Sequence, residues 1–310
     1  MPHEMVHALH PPFGVRAGHT LKGGGIAIGY AYGTERFEGL RSGTDKISPA
    51  RYIARTGYRS APTDFEIERH DFAFMYAPNH RVTAMLEVPL IRKEMRSVTA
   101  TSSYISRSEG LGDMRITAIG RLMERGRERL YFSTELGIPT GQISLRDDTS
   151  PNGDERLPYP MQLGAGVWHL KPGLTYLGYS GSTTWGGQVT TLFRLGDNGS
   201  GYTPGNHYEI TTWIARRWHK TVSTSLRLDY TSWTNTSGAD PRIDSTLTPA
   251  ADPMRRSGQR LDLVSGLDLH LPFVANQSLA IEVAVPLRES LDGPQPSFDW
   301  SLKAGWRWSF

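Results

Sequence analysis

The sequence predicts an all-β chain: an antiparallel up-and-down transmembrane β-barrel of about 12 strands, with long extracellular loops and short periplasmic turns. Three observations predict it. From Phe298 to Phe310 every even residue is apolar (Phe298, Trp300, Leu302, Ala304, Trp306, Trp308, Phe310) and every odd one is polar, charged or glycine. That is the period of two of a strand with one greasy and one wet face. The same alternation recurs along most of the chain, and the connections between the alternating runs are by turns long and short. A sandwich has no reason to alternate loop length in this way.

Composition agrees. The 310 residues hold no Cys, which removes disulfide and thiol chemistry, and no apolar run reaches the roughly 18 residues that a membrane helix requires. A mean hydropathy of −0.42 does not exclude a barrel, whose strands are apolar on one face only. The 33 Gly and 20 Pro suit many turns, and 8 Trp with 13 Tyr suit interfacial girdles. The net charge of +3 is mild and the arginines are scattered, which argues against nucleic acid as a partner.

Met1–Lys22 reads as an irregular periplasmic segment or plug, and residues 23–310 as the barrel. Met1–Thr20 lacks the apolar stretch of a signal peptide, so the expectation is either a mature form with a start Met or a start lying upstream. The first strand is placed near Gly25–Phe37, where Ile26, Ile28, Tyr30 and Tyr32 alternate with small residues. A polar stretch, Gly39–Asp64, precedes a less regular strand at Phe65–Ala77. A short turn leads to Arg81–Ile91, where Pro89 demands a bulge or a strand end. A Ser/Thr-rich loop, then Asp113–Leu122, a charged turn and Leu130–Gly137 follow.

After a long polar loop, Thr140–Pro160, the Gly-rich Met161–Tyr179 has no clear register. Clear strands return at Trp185–Leu195, Tyr208–Trp218 and Val222–Trp233. Beyond the polar loop Asn235–Gly258 come Leu261–Leu271, Leu279–Leu287 and, after Asp292–Pro296, the last strand. With the greasy face outward, the wet face puts Glu87, Asp113, Arg115, Arg121, Glu135, Arg194, Glu209, Arg217, Arg227, Asp229, Asp262, Asp268, Glu282, Lys303 and Arg307 in the lumen. An Arg or Lys on the lipid side would cost about 2–4 kcal/mol at the midplane. These lumenal charges read either as paired wall braces or as the lining of a conduction path.

The ending on Trp306, Trp308 and Phe310 resembles the C-terminal strand of bacterial outer-membrane barrels. That likeness implies a periplasmic aromatic girdle and, at Phe310, the signal for the barrel assembly machinery. The whole chain from about Pro11 resembles the Gram-negative outer-membrane barrel family catalogued under a MetA-pathway of phenol degradation and often called simply "transporter". The residues that carry this are Gly29-Tyr30-Ala31-Tyr32, Met75-Tyr76-Ala77-Pro78, Gly110-Leu111-Gly112-Asp113-Met114-Arg115 and Leu136-Gly137-Ile138-Pro139-Thr140-Gly141. Leu157–Gly164, Pro172–Tyr176 and Ser290–Gln295 extend it. The resemblance implies a barrel in the cell outer membrane, in contact with its lipid, passing small-molecule solutes; the family name suggests hydrophobic or aromatic compounds. Relatives carry Met and His near the first strand, whereas Gly23–Tyr32 carries neither, so no metal role is implied there.

Other motifs are weighed against this frame. His3-Glu4-Met5-Val6-His7 matches the zinc-protease pattern, but it sits at the chain end and Pro11-Pro12 stops any helix. With His10 it is at most a weak divalent-metal candidate, and no cofactor is expected. A rim-active lipid hydrolase would need a base such as His207 beside Glu209, or His270 near serines; the nucleophile elbow G-x-S-x-G is absent, and the chain is read as not an enzyme. Asp147, Asp148, Asp154 and Glu155 read as solvated loop charge. The remaining alternative is a structural or partner-binding barrel with an occluded lumen. Oligomeric state is not legible in the sequence.

Overall fold

The computed structural model describes residues 10–147, 153–271 and 276–310. Eleven strand elements close into one ring in which every pairing is antiparallel. They are β1 (Ile26–Gly43), β2 (Ser60–Asn79), β3 (Val82–Thr99), β5 (Met114–Arg125), β6 (Glu128–Ile138), β7 (Trp168–Ser180), β8 (Thr183–Leu195), β9 (His207–His219), β10 (Val222–Trp233), β11 (Gly258–His270) and β12 (Gln277–Ser309). Two strands of the same sheet lie off the ring, Asp45–Ile47 beside β1 and β4 (Ser103–Leu111) beside the upper half of β3, and among the described residues two small separate ladders pair Arg146–Asp147 with Glu155–Arg156 and Tyr202–Thr203 with Ser237–Gly238.

A ring of antiparallel neighbours requires an even number of staves, and β12 supplies the missing one. Its first arm pairs with β11 as far as Leu291, and its second pairs with β1 from Leu291 to Ser309. Both pairings can be antiparallel only if the element reverses. Asp292-Gly293 provides the turn, with Gly293 at φ 82°, and at 33 residues the element is far longer than one crossing needs. Counted as arms, the wall has the expected twelve staves. The N–H of Phe310 donates to Ile26 and that of Ile26 to Phe310, both at 2.8 Å, and this exchange seals the ends.

The alternation sorts the two faces. Outward positions such as Phe72, Phe74, Ile116, Phe132, Val189, Ile210, Ile214, Leu226 and Ile281 are exposed, while Glu87, Arg115, Glu135, Asp262 and Glu282 are buried. On β9 the outward residues run from Tyr208 to Trp218. Ten residues in a strand tilted by roughly 40° span about 25 Å, the height of a bilayer-facing apolar band.

Three expectations are corrected. The loop expected between Ile91 and Asp113 is a hairpin, because β3 continues to Thr99 and β4 begins at Ser103. Arg92, Glu94 and Arg96 keep the period of two above the apolar band, where outward charge meets water. Charge that looked like loop composition is strand above the membrane. Likewise the stretch from Gly39 to Asp64 holds the ends of β1 and β2 around a short helix, α1 (Pro49–Thr56). Finally, Phe298 does not share the outward face of Trp300. The β1–β12 register shifts between Arg36 and Phe37, which turns Phe298 inward against Phe37, with rings 5.5 Å apart, and leaves Asp299 exposed. Pro89 falls where β3 changes partner, from β5 at Glu87–Arg115 to β4 at Leu90–Leu111, so its missing N–H interrupts no continuous ladder.

Candidate functional site

The lumen is the site, and its wall is built by cross-strand pairing. Glu87 on β3 stands opposite Arg115 on β5. Glu135 on β6 stands opposite Lys171 on β7. Asp71, inward on β2, takes Arg115 at 2.8 Å and Arg69 at 2.9 Å. Further round, Lys171 reaches Glu209 at 2.7 Å, and Arg227 joins Asp229 and Glu282, the latter at 2.9 Å. Arg260 pairs with Asp262 at 2.8 Å and lies 3.6 Å over the Phe298 ring.

Into this wall runs the chain's own N-terminal segment, residues 10–22. Arg16 forms ion pairs with Glu87 and, at 3.3 Å, with Glu135. The Gly14 N–H donates to Glu282 at 2.8 Å, the Leu21 N–H to Thr83 at 2.9 Å, and Gln188 donates to the Arg16 carbonyl at 2.8 Å. Val15 packs into a cluster with Tyr131, Leu177 and Trp213. The tip of the Phe13 ring points at Gly305, where an added Cβ would come within 1.9 Å of its Cζ. The segment therefore touches both sides of the barrel, from β3 and β6 to both arms of β12. What space remains is a cavity of about 570 Å³ lined by this segment and by the wall. Its lining extends from Glu35, Lys171 and Thr231 toward the long-loop end to Ser182, Ser223 and Ser278 at the short-turn end, so it runs past the N-terminal segment.

The outer mouth is covered as well. Phe65 and Met95 point inward above the membrane and form a core with Leu157, Met161 and Ala250 from the long loops. Lys93, also inward, donates to the carbonyls of Pro160 at 2.7 Å and Gln162 at 2.6 Å. Asp240 is gripped by Arg156 at 2.7 Å and Arg242 at 2.9 Å, and both arginines share the Ser200 hydroxyl. Burial alone would raise the Asp240 carboxyl. The Arg242 donors and the Arg156 charge outweigh it and hold Asp240 below the usual carboxylate range.

The positions expected in the lumen separate into groups. Glu87, Arg115, Glu135, Glu209, Arg217, Arg227, Asp229, Asp268, Lys303 and Arg307 line the cavity. Glu282 holds the N-terminal segment through the Gly14 N–H. Asp113 instead pins the loop after β6, accepting from Gly141 at 2.9 Å and Ala165 at 2.8 Å. Arg121 pairs with Glu124 at 2.5 Å beside a short turn. Arg194 faces His169 at 3.4 Å, and His169 bonds Glu135 at 3.0 Å in space that Gly137 leaves open. Trp308 and Phe310 meet edge to face at 4.8 Å, while the Trp306 indole donates to Gln277 at 2.9 Å.

Of the histidines weighed as ligands, His3 and His7 lie outside the described residues, as does Asp148 of the acidic loop. His10 packs edge-on to His19, their rings 4.4 Å apart. Among the described residues no group of three or more His, Cys, Asp or Glu is placed to hold a metal ion. His207 stacks on Trp233, and its expected partner Glu209 is engaged by Lys171 and Thr190. Sequence reading missed Arg16, Asp71, Lys171 and His169. Asp71 and Lys171 lay on strands of uncertain register, and nothing in an irregular segment marks Arg16 as the residue that enters the lumen.

No family model matches the chain, and no curated protein matches it. Among solved structures, an outer-membrane channel from Pseudomonas putida F1 overlays with a TM-score of 0.61 at 14% identity, covering 94% of this chain and 98% of that one. A Pseudomonas aeruginosa FadL homologue overlays with a TM-score of 0.46 at 10% identity, covering 92% of this chain and 90% of its own. The KdgM porin gives 0.43 at 10% identity, covering 92% and 99%. The first likeness is one of fold: this chain has the closed antiparallel β-barrel fold of an outer-membrane channel.

Proposed function

We propose that the chain is an outer-membrane channel for small molecules whose lumen is closed at rest by its own N-terminal segment. The observation that carries this reading is the cavity of about 570 Å³ running past a plug seated in a polar lumen. The plug contacts are mostly ion pairs and hydrogen bonds to the wall, which water replaces at modest net cost when the segment leaves. The exposed apolar band and terminal aromatic residues support residence in the outer membrane, with Phe310 as the handle for the assembly machinery. The resemblance noted in the sequence favours hydrophobic or aromatic solutes, passed without chemistry.

The test is planar-bilayer recording of the refolded chain. Discrete, reproducible steps support the channel. Silence from folded protein that persists when residues 1–20 are removed supports the other reading, a partner-binding barrel, which the covered outer mouth favours.

A further inference from the structure

We infer that Lys303 sets the charge preference of the bore and that the solutes admitted are small anions. This rests on the channel reading above. The cavity is lined by nine Lys or Arg and seven Asp or Glu. Five of these cations and five of these acids are committed to one another or to the plug in the ion pairs already described. Four cations and two acids, Glu35 and Asp268, are left. Arg216 turns outward over the Trp218 ring, 4.5 Å from its centre, so three cations stand against the two acids in the bore, and Arg217 is near the end of β9 at the short-turn rim. Arg307 faces His19 at 3.5 Å. Lys303 alone of the four stands at mid-height on the wall.

Its surroundings single it out. Lys303 is paired across the sheet with Gly33. Gly29, Ala31 and Gly305 carry the same inner surface, and the charges next to it on β2, Arg69 beside Gly33 and Asp71 beside Ala31, are paired with each other at 2.9 Å, which leaves Lys303 as the uncommitted charge facing this bare stretch of wall. Among the described residues the Lys303 ammonium has no carboxylate partner, and it stands 5.4 Å from the centre of the Phe13 ring. An ammonium held in a low-dielectric groove with its donors unspent is a binding point for a carboxylate or another small anion. The Phe13 ring and the bare glycine wall beside it tolerate an apolar body on that anion.

The absence of cysteine makes the test direct, because one introduced thiol is unique. Ser301 lines the same cavity on the same inner face, two residues from Lys303. In the full-length barrel carrying Ser301→Cys, labelling rates are compared for an anionic sulfonatoethyl and a cationic trimethylammonioethyl methanethiosulfonate. The anionic reagent is expected to react roughly three- to tenfold faster relative to its rate on a free thiol. Adding Lys303→Met should abolish that preference, Lys303→Glu should invert it, and Lys303→Arg should keep it. Labelling by both reagents at a ratio indifferent to residue 303 overturns the inference and leaves the channel standing. Labelling by neither overturns solute access itself, and the channel reading with it.

Discussion

Replacing Arg16 by Ala should unseat the plug. In the closed barrel the Arg16 guanidinium bridges Glu87 on β3 and Glu135 on β6, so its removal strips a cation from two buried carboxylates. Breaking a buried ion pair by deleting one partner costs about 3–5 kcal/mol. Two features reduce this. Glu87 keeps Arg115 at 3.6 Å and Glu135 keeps His169 at 3.0 Å, and the Arg16 side chain is 33% exposed. A loss of about 2–3 kcal/mol is therefore expected, which shifts the ratio of seated to released plug by roughly 30- to 150-fold. The assay is open probability in planar bilayers, with heat-modifiable electrophoretic migration as the check that the barrel is intact. Arg121→Ala, on the same wall but paired only with Glu124 beside a turn, is the control. An unchanged open probability in folded Arg16→Ala protein would refute the reasoning, because it would mean that the ion pairs do not hold the segment.

Gly305→Val should act on the same equilibrium from the other side of the lumen, since its side chain occupies the place of the Phe13 ring, and its open probability should exceed that of the parent. Ile214→Arg, on the lipid face of β9, should lower barrel stability by about 2–4 kcal/mol in a urea titration in bilayers, whereas a polar change at lumenal Thr211 should cost far less. Acid should loosen the outer cap: the Asp240 carboxyl is held low, so its stabilisation is complete above about pH 4 and is lost as pH falls through its folded value. Hydrogen exchange of the amides at Ser200 and Tyr202, corrected for intrinsic rate, should therefore quicken below pH 4 and stay flat from 5 to 7. Deleting Phe310 should slow assembly in cells more than refolding in detergent, as scored by heat-modifiable migration.

The barrel was legible because its signal is repeated. Most staves carry the same alternation, and a closed sheet in lipid has no other way to satisfy its backbone. The terminal run that announces the architecture also shows where pattern reading fails. Phe298 continues the alternation in sequence, but a bulge against Arg36 and Phe37 reverses its face, and a bulge leaves little mark on apolar spacing. The extension of β3 and β4 was obscured for a different reason: above the membrane the outward face has no lipid to meet, so apolar alternation gives way to Arg92, Glu94 and Arg96 while the backbone stays extended.

The site was legible by half. Wall charges followed from parity once the faces were assigned, which is why Glu87, Arg115 and Glu135 were found. The common partner of Glu87 and Glu135 was not, because an irregular segment has no period, and the contact between Arg16 and Glu135 spans 119 positions in the chain. Asp113 shows the converse error. It has the parity of a lumenal residue, yet its carboxylate closes two loop amides beside the break at Gly112. Parity assigns a face and says nothing about which backbone groups compete for the side chain.

The most direct test of a channel closed by its own N-terminal segment is single-channel recording of the intact folded chain beside a folded barrel lacking residues 1–20. Rare or brief openings are expected from the intact chain and large, steady steps from the truncated one. Equal conductance from the two, or silence from the truncated barrel, would contradict it.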